Sequence, residues 1–403
     1  MTIDVRGCGS VAELRDGLNV ISHYFGHENK VDDAERFAQW IDLDRMHLAR
    51  VDGAVVGGAG AFSWELSVPG GVVPAAGVTV VGVLPTHRRR GVLTALMREQ
   101  LEDARRRGDL AAHLFASEAT IYGRFGYGLA SRMGEAAIPK ERTAFAQPFA
   151  ARGSVRLVDY DESTRVFPAL YDRVRRDYPG MFGRSESWWN TRRLFDDPAR
   201  RRGGPLHRAL RELDGAPAGY ALYRVTQDWR GGSSTGHVMV IEVVATSPQA
   251  TRELWRWLLE FDWTSEIRVH MLPLDHPLFL LLAEPRRMQF VVNDGQWVRL
   301  IDVERALGAR SYATAAEVVL EVRDPFLPEN AGRYRVSAGG CERTDARPDV
   351  RLDVTALGSV YLGGFSFREL ERASRLEALT DGALARADAL FATAVEPWCP
   401  EIF

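Results

Sequence analysis

Residues 78–93 read VTVVGVLPTHRRRGVL. A β-branched run ends at Pro85, a turn presents Arg88, Arg89, Arg90 and Gly91, and a helix opens at once. That helical stretch runs from Val92 to Arg107. Val92, Leu93, Leu96, Met97, Leu101 and Ala104 share one face, while Arg98, Glu99, Glu102 and Arg105 share the other. A strand–turn–helix of this kind aims successive backbone N–H groups at one point, where the positive end of the helix dipole adds to them. Gly91 permits close backbone approach and the arginines bring fixed positive charge, so the turn suits a pyrophosphate. Arg105 to Arg107, at the far end, read as cations favoured at a helix C-terminus. A basic turn is also what a solvated surface looks like, so the context has to decide.

Outward from this stretch the chain reads as mixed α/β. Asp32 to Trp40 is helical by spacing, and Met46–Val51 and Ala54–Phe62 are strands joined at Asp52-Gly53, a strong hairpin signal. Gly77 to Leu84 is a further strand, Leu110 to Phe115 a buried one, and a glycine and aromatic cluster follows from Tyr122 to Gly128. From about Arg152 the pattern restarts. A helix over Ser163–Asp177 leads to Trp188-Trp189 and a Gly/Arg-rich turn around Arg200 to Gly204. Strands over Ala209–Leu213, Ala218–Val225 and Val238–Ala245 precede a helix over Ala250–Phe261. The order matches the first segment, but residues 246–251 (TSPQAT) offer neither glycine nor an arginine cluster. We read a duplicated fold with one working phosphate loop. The last part predicts strands at Val318–Val322, Tyr334–Val336 and Val350–Val354 and helices at Phe367–Leu379 and Ala383–Ala394, a small α+β domain. The expected division is 1–150, 151–298 and 299–403, and with no low-complexity linker the three parts should pack together.

Composition sets outer limits. The chain has 403 residues, enough for two or three cores. Hydrophobic residues make up 46% and charged residues 26%, as in an ordinary globular protein. The net charge of −3 gives no global reason to bind nucleic acid. The longest apolar run, Leu278 to Ala283, is too short to cross a bilayer, and Met1 to Ser10 lacks an apolar signal stretch. A cytoplasmic, non-membrane protein is expected. Cys8, Cys341 and Cys399 form no C-x-x-C pair, and His23 and His27 stand four apart without an obvious third ligand, so no metal site is expected.

The basic turn resembles the coenzyme A loop of the GCN5-related N-acetyltransferases (GNATs), Arg/Gln-x-x-Gly-x-Gly/Ala, with Arg88, Gly91 and Leu93 in those places. Arg-Arg-Arg-Gly-Val-Leu is similar to one branch, the enhanced-intracellular-survival (Eis) acetyltransferases of actinobacteria. Ser117-Glu118, then Ile121 to Gly128 (IYGRFGYG), Gly219 to Val225 (GYALYRV) and Leu357 to Gly364 (LGSVYLGG) resemble that branch in the same order. The resemblance implies an α/β (α+β) fold class: two GNAT-like domains in tandem, the second degenerate, plus a C-terminal sterol-carrier-like α+β domain. It also implies acetyl-CoA as donor, amine acceptors that include aminoglycosides, and a homohexamer. Val81, Gly82 and Val83 would then bond the acetyl and pantetheine part. Arg88, Arg89, Arg90, Gly91, Val92, Leu93 and Thr94 would hold the pyrophosphate, and Ser117 and Glu118 would complete the cleft.

Two tyrosines compete for the acid role, Tyr122 and Tyr127; by the family pattern it falls to Tyr122, protonating the departing thiolate. A phenol near pKa 10 can serve a thiol near 8.5 when hydrogen-bonded. The same pattern makes the C-terminal carboxylate, here that of Phe403, the proton acceptor. With a pKa of about 3.5 it is a poor base for an ammonium near 10.4. Its role is therefore to attract and orient the amine, then receive the proton once the tetrahedral intermediate makes that nitrogen acidic. Transfer is direct, because no Cys or Ser stands with a base as a triad requires. A backbone N–H of Val81 to Val83 would stabilise the oxyanion. Carboxylates and aromatic walls suit a cationic acceptor, and the candidates are Phe25, Glu28, Asp32, Asp33, Trp40 and Glu401. Two other readings stay open: an acyltransferase using a longer acyl-CoA, and a non-catalytic lipid or sterol carrier.

Overall fold

A computed structural model describes residues 2–26, 28–197 and 203–403. His27, one half of the His23/His27 pair, lies outside them, as does most of the turn expected around Arg200. The chain forms two compact units. One comprises Met1–Ser131, Gln296–Ala394 and Ile402–Phe403; the other comprises Arg132–Gly295 and Val395–Glu401.

The first unit is built on a seven-stranded sheet. Its strands are β1 (Asp4–Gly7), β2 (Met46–Val51), β3 (Ala54–Val68), β4 (Gly71–Val83), β5 (Ala111–Phe115), Gln296–Leu300, and β6 (Gly128–Leu129), in that spatial order. The predicted β2–β3 hairpin turns through Asp52 (φ 50°) and Gly53 (φ 82°), the left-handed pair that a tight two-residue hairpin needs. Helix α1 (Val11–Phe25) was not anticipated, although Ser10 caps it by accepting from the Glu13 N–H and Gly26 (φ 68°) closes it. Helix α2 spans Val31–Phe37, shorter than predicted. Helix α3 spans Val92–Arg107 as predicted and joins the parallel strands β4 and β5.

The predicted boundaries shift. Gln296–Leu300 pairs with β5 and β6, so the end of the expected middle domain is a strand of the first sheet. The C-terminal part belongs to this unit through a five-stranded sheet ordered Gly340–Arg343, Gly332–Ser337, Glu317–Arg323, Val350–Asp353, Leu376–Ala378. A buried ion pair, Arg299 to Asp324 at 2.6 Å, ties that sheet's region to the inserted strand, with Asn330 donating to the same carboxylate. Two predictions fail here for local reasons. The helix expected over Phe367–Leu379 stops at Arg372, the chain turns through Ser374 (φ 56°), and Leu376–Ala378 becomes an edge strand. Val354 opens a helix rather than ending a strand, because Asp353 accepts from the Ala356 N–H at 2.7 Å.

The second unit has its own seven-stranded sheet, ordered Val291–Asp294, Arg132–Pro139, Glu266–Leu272, His237–Ala245, Ala216–Thr226, His207–Leu213, Ser154–Leu157. Its first strand begins at Arg132, well before residue 150. The helix Pro248–Leu259 packs Leu254, Trp255, Leu258 and Leu259 into the core of that sheet.

Candidate active site

The parallel pairing of β4 with β5 lasts only from Ala75/Ala111 to Gly77/His113. Beyond it β4 departs. Thr79 pairs with Gly60 and Gly82 with Gly58, so Ala59 alone faces Val80 and Val81, and Val80 sits at φ 46°. This β-bulge re-aims the strand. The Leu84 N–H bonds the Val56 carbonyl. By the alternation of an antiparallel pair, Val81 and Val83 therefore turn their backbone N–H and C=O away from β3, into the gap where β5 has left. The cleft is open because of a bulge and a broken register.

At its mouth the turn is pre-shaped for an anion. Arg89 (φ 58°) and Gly91 (φ 84°) are both left-handed, and α3 starts at Gly91 with no side-chain cap. The first intrahelical donor is Ala95, bonding the Gly91 carbonyl. Val92, Leu93 and Thr94 thus present the uncommitted N–H groups of a first helical turn, flanked by the exposed Arg89 and Arg90. These residues fit the pyrophosphate of a coenzyme A ester. Arg88 is differently engaged: its Nε donates to the Tyr24 hydroxyl at 3.0 Å with its guanidinium 5.0 Å from that ring. Tyr24 in turn donates to the Val83 carbonyl at 2.5 Å. Sequence reasoning missed Tyr24, because nothing in α1 marks it as facing β4. Ser117 and Glu118 are exposed at the end of β5, and Glu118 stands at the start of α4 (Ala119–Tyr122).

Tyr122 lies in the core that also holds Val78, Met97 and the partly buried Val81 and Leu93. It keeps 6% exposure, and burial pushes its phenol up to about 12. Tyr127 stacks edge-on against it at 5.8 Å, is wholly buried, and has a hydroxyl with no partner among the described residues. Of the two, only Tyr122 retains access. Its raised pKa keeps the proton on through the neutral range, which leaves it a hydrogen-bond donor.

Phe403 belongs to this unit and sits in an aromatic box. Its ring lies 4.6 Å from Trp64, 5.0 Å from His113, 5.5 Å from Phe115 and 6.4 Å from Phe62. Phe62 continues the wall through Phe37 at 5.8 Å to Trp40 at 5.8 Å. Phe62 and Trp64 are two apart on β3 and so share one face; that spacing was the available signal for a wall that sequence reasoning found only at Trp40. His113 is completely buried, which pushes its imidazole down to about 3, so it is neutral; its Nδ1 shares a hydrogen bond of 3.0 Å with the Gln296 amide. Phe25 (66% exposed) and Glu28 are on the surface at the end of α1. Asp32 is exposed, while Asp33 caps α2 by accepting from the Lys30 N–H and pairs with Arg36.

Glu401 does not face an acceptor. It is 6% exposed, and its carboxylate meets Arg184 at 2.9 Å, Arg192 at 3.6 Å, Arg193 at 3.8 Å and the Trp188 indole N–H at 3.1 Å. Burial works to raise its pKa, but the three arginines outweigh that and hold it below the usual range. These contacts tie the tail to Arg184, Arg192, Arg193 and Trp188. Among the described residues no group of three or more His, Cys, Asp or Glu could hold a metal ion, and no helix is long and apolar enough to cross a membrane.

Family comparisons agree with this arrangement. Two acetyltransferase (GNAT) domain models match residues 10–130 and 180–300, and a sterol carrier protein domain model matches residues 303–400. The chain is 42% identical to an uncharacterized N-acetyltransferase of Streptomyces avermitilis over 87% of either chain. It is 36% identical to the N-acetyltransferase Eis of Mycobacterium tuberculosis over 85% of this chain and 84% of that one. The crystal structure of Eis1 from Mycobacterium abscessus superimposes with a TM-score of 0.87 at 38% identity, covering 99% of this chain and 100% of that one. With the phosphate turn, the bulged cleft and the sterol-carrier-like region all in place, the chain belongs to the Eis-like branch of the GNAT N-acetyltransferases.

Proposed function

We propose that this acetyltransferase moves the acetyl group of acetyl-CoA directly onto primary amines of small cationic molecules, with aminoglycosides and lysine side chains among the candidates. The observation that carries the proposal is the box around Phe403. A terminal residue is ordinarily frayed, yet this ring is held by Trp64, His113, Phe115 and Phe62 at the divergence of β4 and β5. A carboxylate on a residue whose ring is held in an aromatic wall offers an ammonium both charge and cation–π attraction. The backbone of Val81 to Val83 aligns the thioester and steadies the oxyanion as the amine adds. The nitrogen, acidified in the tetrahedral intermediate, gives its proton to the Phe403 carboxylate, and Tyr122 donates to the departing sulfur.

Thiol release from acetyl-CoA on a panel of aminoglycosides, lysine peptides and simple diamines tests this. The native chain is compared with a variant extended by a few residues past Phe403. Turnover is expected for the native chain and should fall at least a hundredfold in the extended one. Undiminished turnover after extension removes Phe403 from the mechanism. A preference for long acyl-CoAs over acetyl-CoA in the same assay replaces the donor. The homohexamer implied by the family has a candidate surface in the second unit: Val291 (54% exposed) and Val292 (52%) lie on an edge strand, and Leu280 is 85% exposed. Sedimentation velocity of the native chain against Val292→Lys checks it; a hexamer in both moves the interface elsewhere.

A further inference from the structure

The second unit keeps an open cleft that the acetyl transfer does not use. Its parallel strands His237–Ala245 and Glu266–Leu272 hold register from His237/Glu266 to Val240/Val269 and then part. The first of them carries a bulge, with Ile241 extra between the pairs Leu222/Glu242 and Tyr223/Val240. The Thr246 N–H bonds the Ala218 carbonyl, so by alternation Val243 and Ala245 turn their backbone groups away from Ala216–Thr226 and into the gap. A cavity of about 630 Å³ lies there, lined by Val243, Ala245, Trp255 and His276 among others. That is the size of a small-molecule site.

The chemistry of the lining differs from that of the first cleft. The helix Pro248–Leu259 opens with Ser247, whose hydroxyl accepts from the Ala250 N–H, and with Pro248, which has no N–H. Of the first-turn N–H groups only that of Gln249 is left, and the two cations in the lining, Arg173 and Arg252, are outnumbered there by Asp177, Glu242 and Asp275. Deeper in, Trp255 is fully buried and its indole N–H has no partner among the described residues. His276 stacks edge-on against it at 5.1 Å. The Leu278 N–H bonds His276 Nδ1 at 3.2 Å, which leaves the proton on Nε2, and burial pushes this imidazole down to about 3, so it is neutral. On the opposite strand the Met271 carbonyl is already taken by the Trp398 indole N–H at 2.5 Å.

A free strand edge, two uncharged N–H donors and a disarmed phosphate turn select one kind of ligand. We propose that this cavity is a second binding site, taking an uncharged, extended chain that carries secondary amides, of the pantetheine type, and excluding nucleotides. The amides add to the Val243–Ala245 edge as a further strand would, and a terminal carbonyl meets Trp255 and His276.

Calorimetry on the full chain saturated with coenzyme A, which keeps the first cleft filled, tests the assignment. Pantetheine is titrated in one arm, N-acetyl-dialanine methylamide in another, and adenosine 3′,5′-diphosphate in a third. Saturable binding of pantetheine is expected, weakened about fivefold by Trp255→Phe, the loss of one neutral hydrogen bond, and lost on filling the cavity with Ala245→Trp. Binding of the capped peptide as well shows that the amide pattern is read; binding of pantetheine alone assigns the thiol-bearing arm. Acetyl-transfer rate reports whether Ala245→Trp still folds, and Thr251→Trp fills the same cavity from the helix side if it does not. Saturable binding of the diphosphate, no saturable heat with the two amide probes, or native affinity in a folded cavity-filled variant would overturn the proposal.

Discussion

The two units build the same cleft and finish it differently. In each, a pair of parallel strands holds register briefly and then parts beside a bulge, turning the alternate backbone groups of Val81 and Val83 in one and of Val243 and Ala245 in the other out of the ladder. In the first unit the next helix begins uncapped at Gly91, after a left-handed Arg89; in the second it begins with a serine that caps it and a proline. A capped helix end is the more stable one, but its donors are committed. Shape and phosphate affinity are therefore separable properties of this fold. The first is written in strand register, the second in the few residues that open one helix.

The largest effect that sharpens the contrast is expected at Tyr122. Tyr122→Phe should lower kcat roughly 10²- to 10⁴-fold with the KM for acetyl-CoA little changed, whereas Tyr127→Phe, which deletes a buried hydroxyl with no partner among the described residues, should stay within about twofold of native. Equal losses in steady-state assays would show that the aromatic cluster acts as a packed unit. Burial places the Tyr122 phenol at about 12, so kcat should show no descending limb from this acid up to about pH 10.

Next in size is the strand that frames the second cleft. Glu242 is fully buried; desolvation works to raise its pKa, yet Arg184 and Arg193, at 2.6 and 2.7 Å, hold it down to about 2. Glu242→Ala leaves Arg184 and Arg193 only the Glu401 carboxylate to share and should cost about 3 kcal/mol in urea unfolding. The sign of its pH dependence follows from a lowered carboxylate pKa. The stabilisation is complete above the ordinary value near 4.5 and is lost as pH falls toward 2. The native chain should therefore lose stability between those limits more steeply than the variant; parallel slopes would remove Glu242 from the acid response.

Gly91→Ala tests the phosphate turn. Holding an alanine at φ 84° costs about 1–2 kcal/mol, so the KM for acetyl-CoA should rise about tenfold, while thermal unfolding of the second unit stays put. The smallest change is at the other helix start: Ser247→Ala should cost about 1 kcal/mol of stability and leave that KM untouched. A raised KM there would mean that the second cleft also takes the coenzyme.

Much of this was legible in the sequence. The phosphate turn and α3 were readable because their signals are local: a strand, a basic glycine turn, and one apolar face at helical spacing. The absence of such a turn at residues 246–251 was readable for the same reason. The aromatic box was not, because its five rings come from three separated stretches, with Phe62 and Trp64 on β3, His113 and Phe115 on β5, and Phe403 at the chain end. Glu401 was misread because a carboxylate near the chain end looks available; Arg184, Arg192 and Arg193, which claim it, lie some 210 residues earlier and form no motif with it. The boundaries at 150 and 298 came from composition and periodicity, which do not reveal that Arg132–Pro139 and Gln296–Leu300 pair into sheets other than those of their sequence neighbours.

That last pairing has a consequence for synthesis. The strand Gln296–Leu300 stands between β5 and β6, so the first sheet cannot be completed when its N-terminal strands leave the ribosome. It waits for a segment made more than 160 residues after β6, an interval on the order of ten seconds or more at about 5–20 residues per second. Throughout that time β5 carries an unpaired, apolar edge, the kind that recruits other strands. The second unit is finished first, apart from its tail, and the catalytic sheet closes around a strand delivered late. A fragment cut at residue 150 would keep the phosphate turn and still lack the strand that closes the sheet behind it.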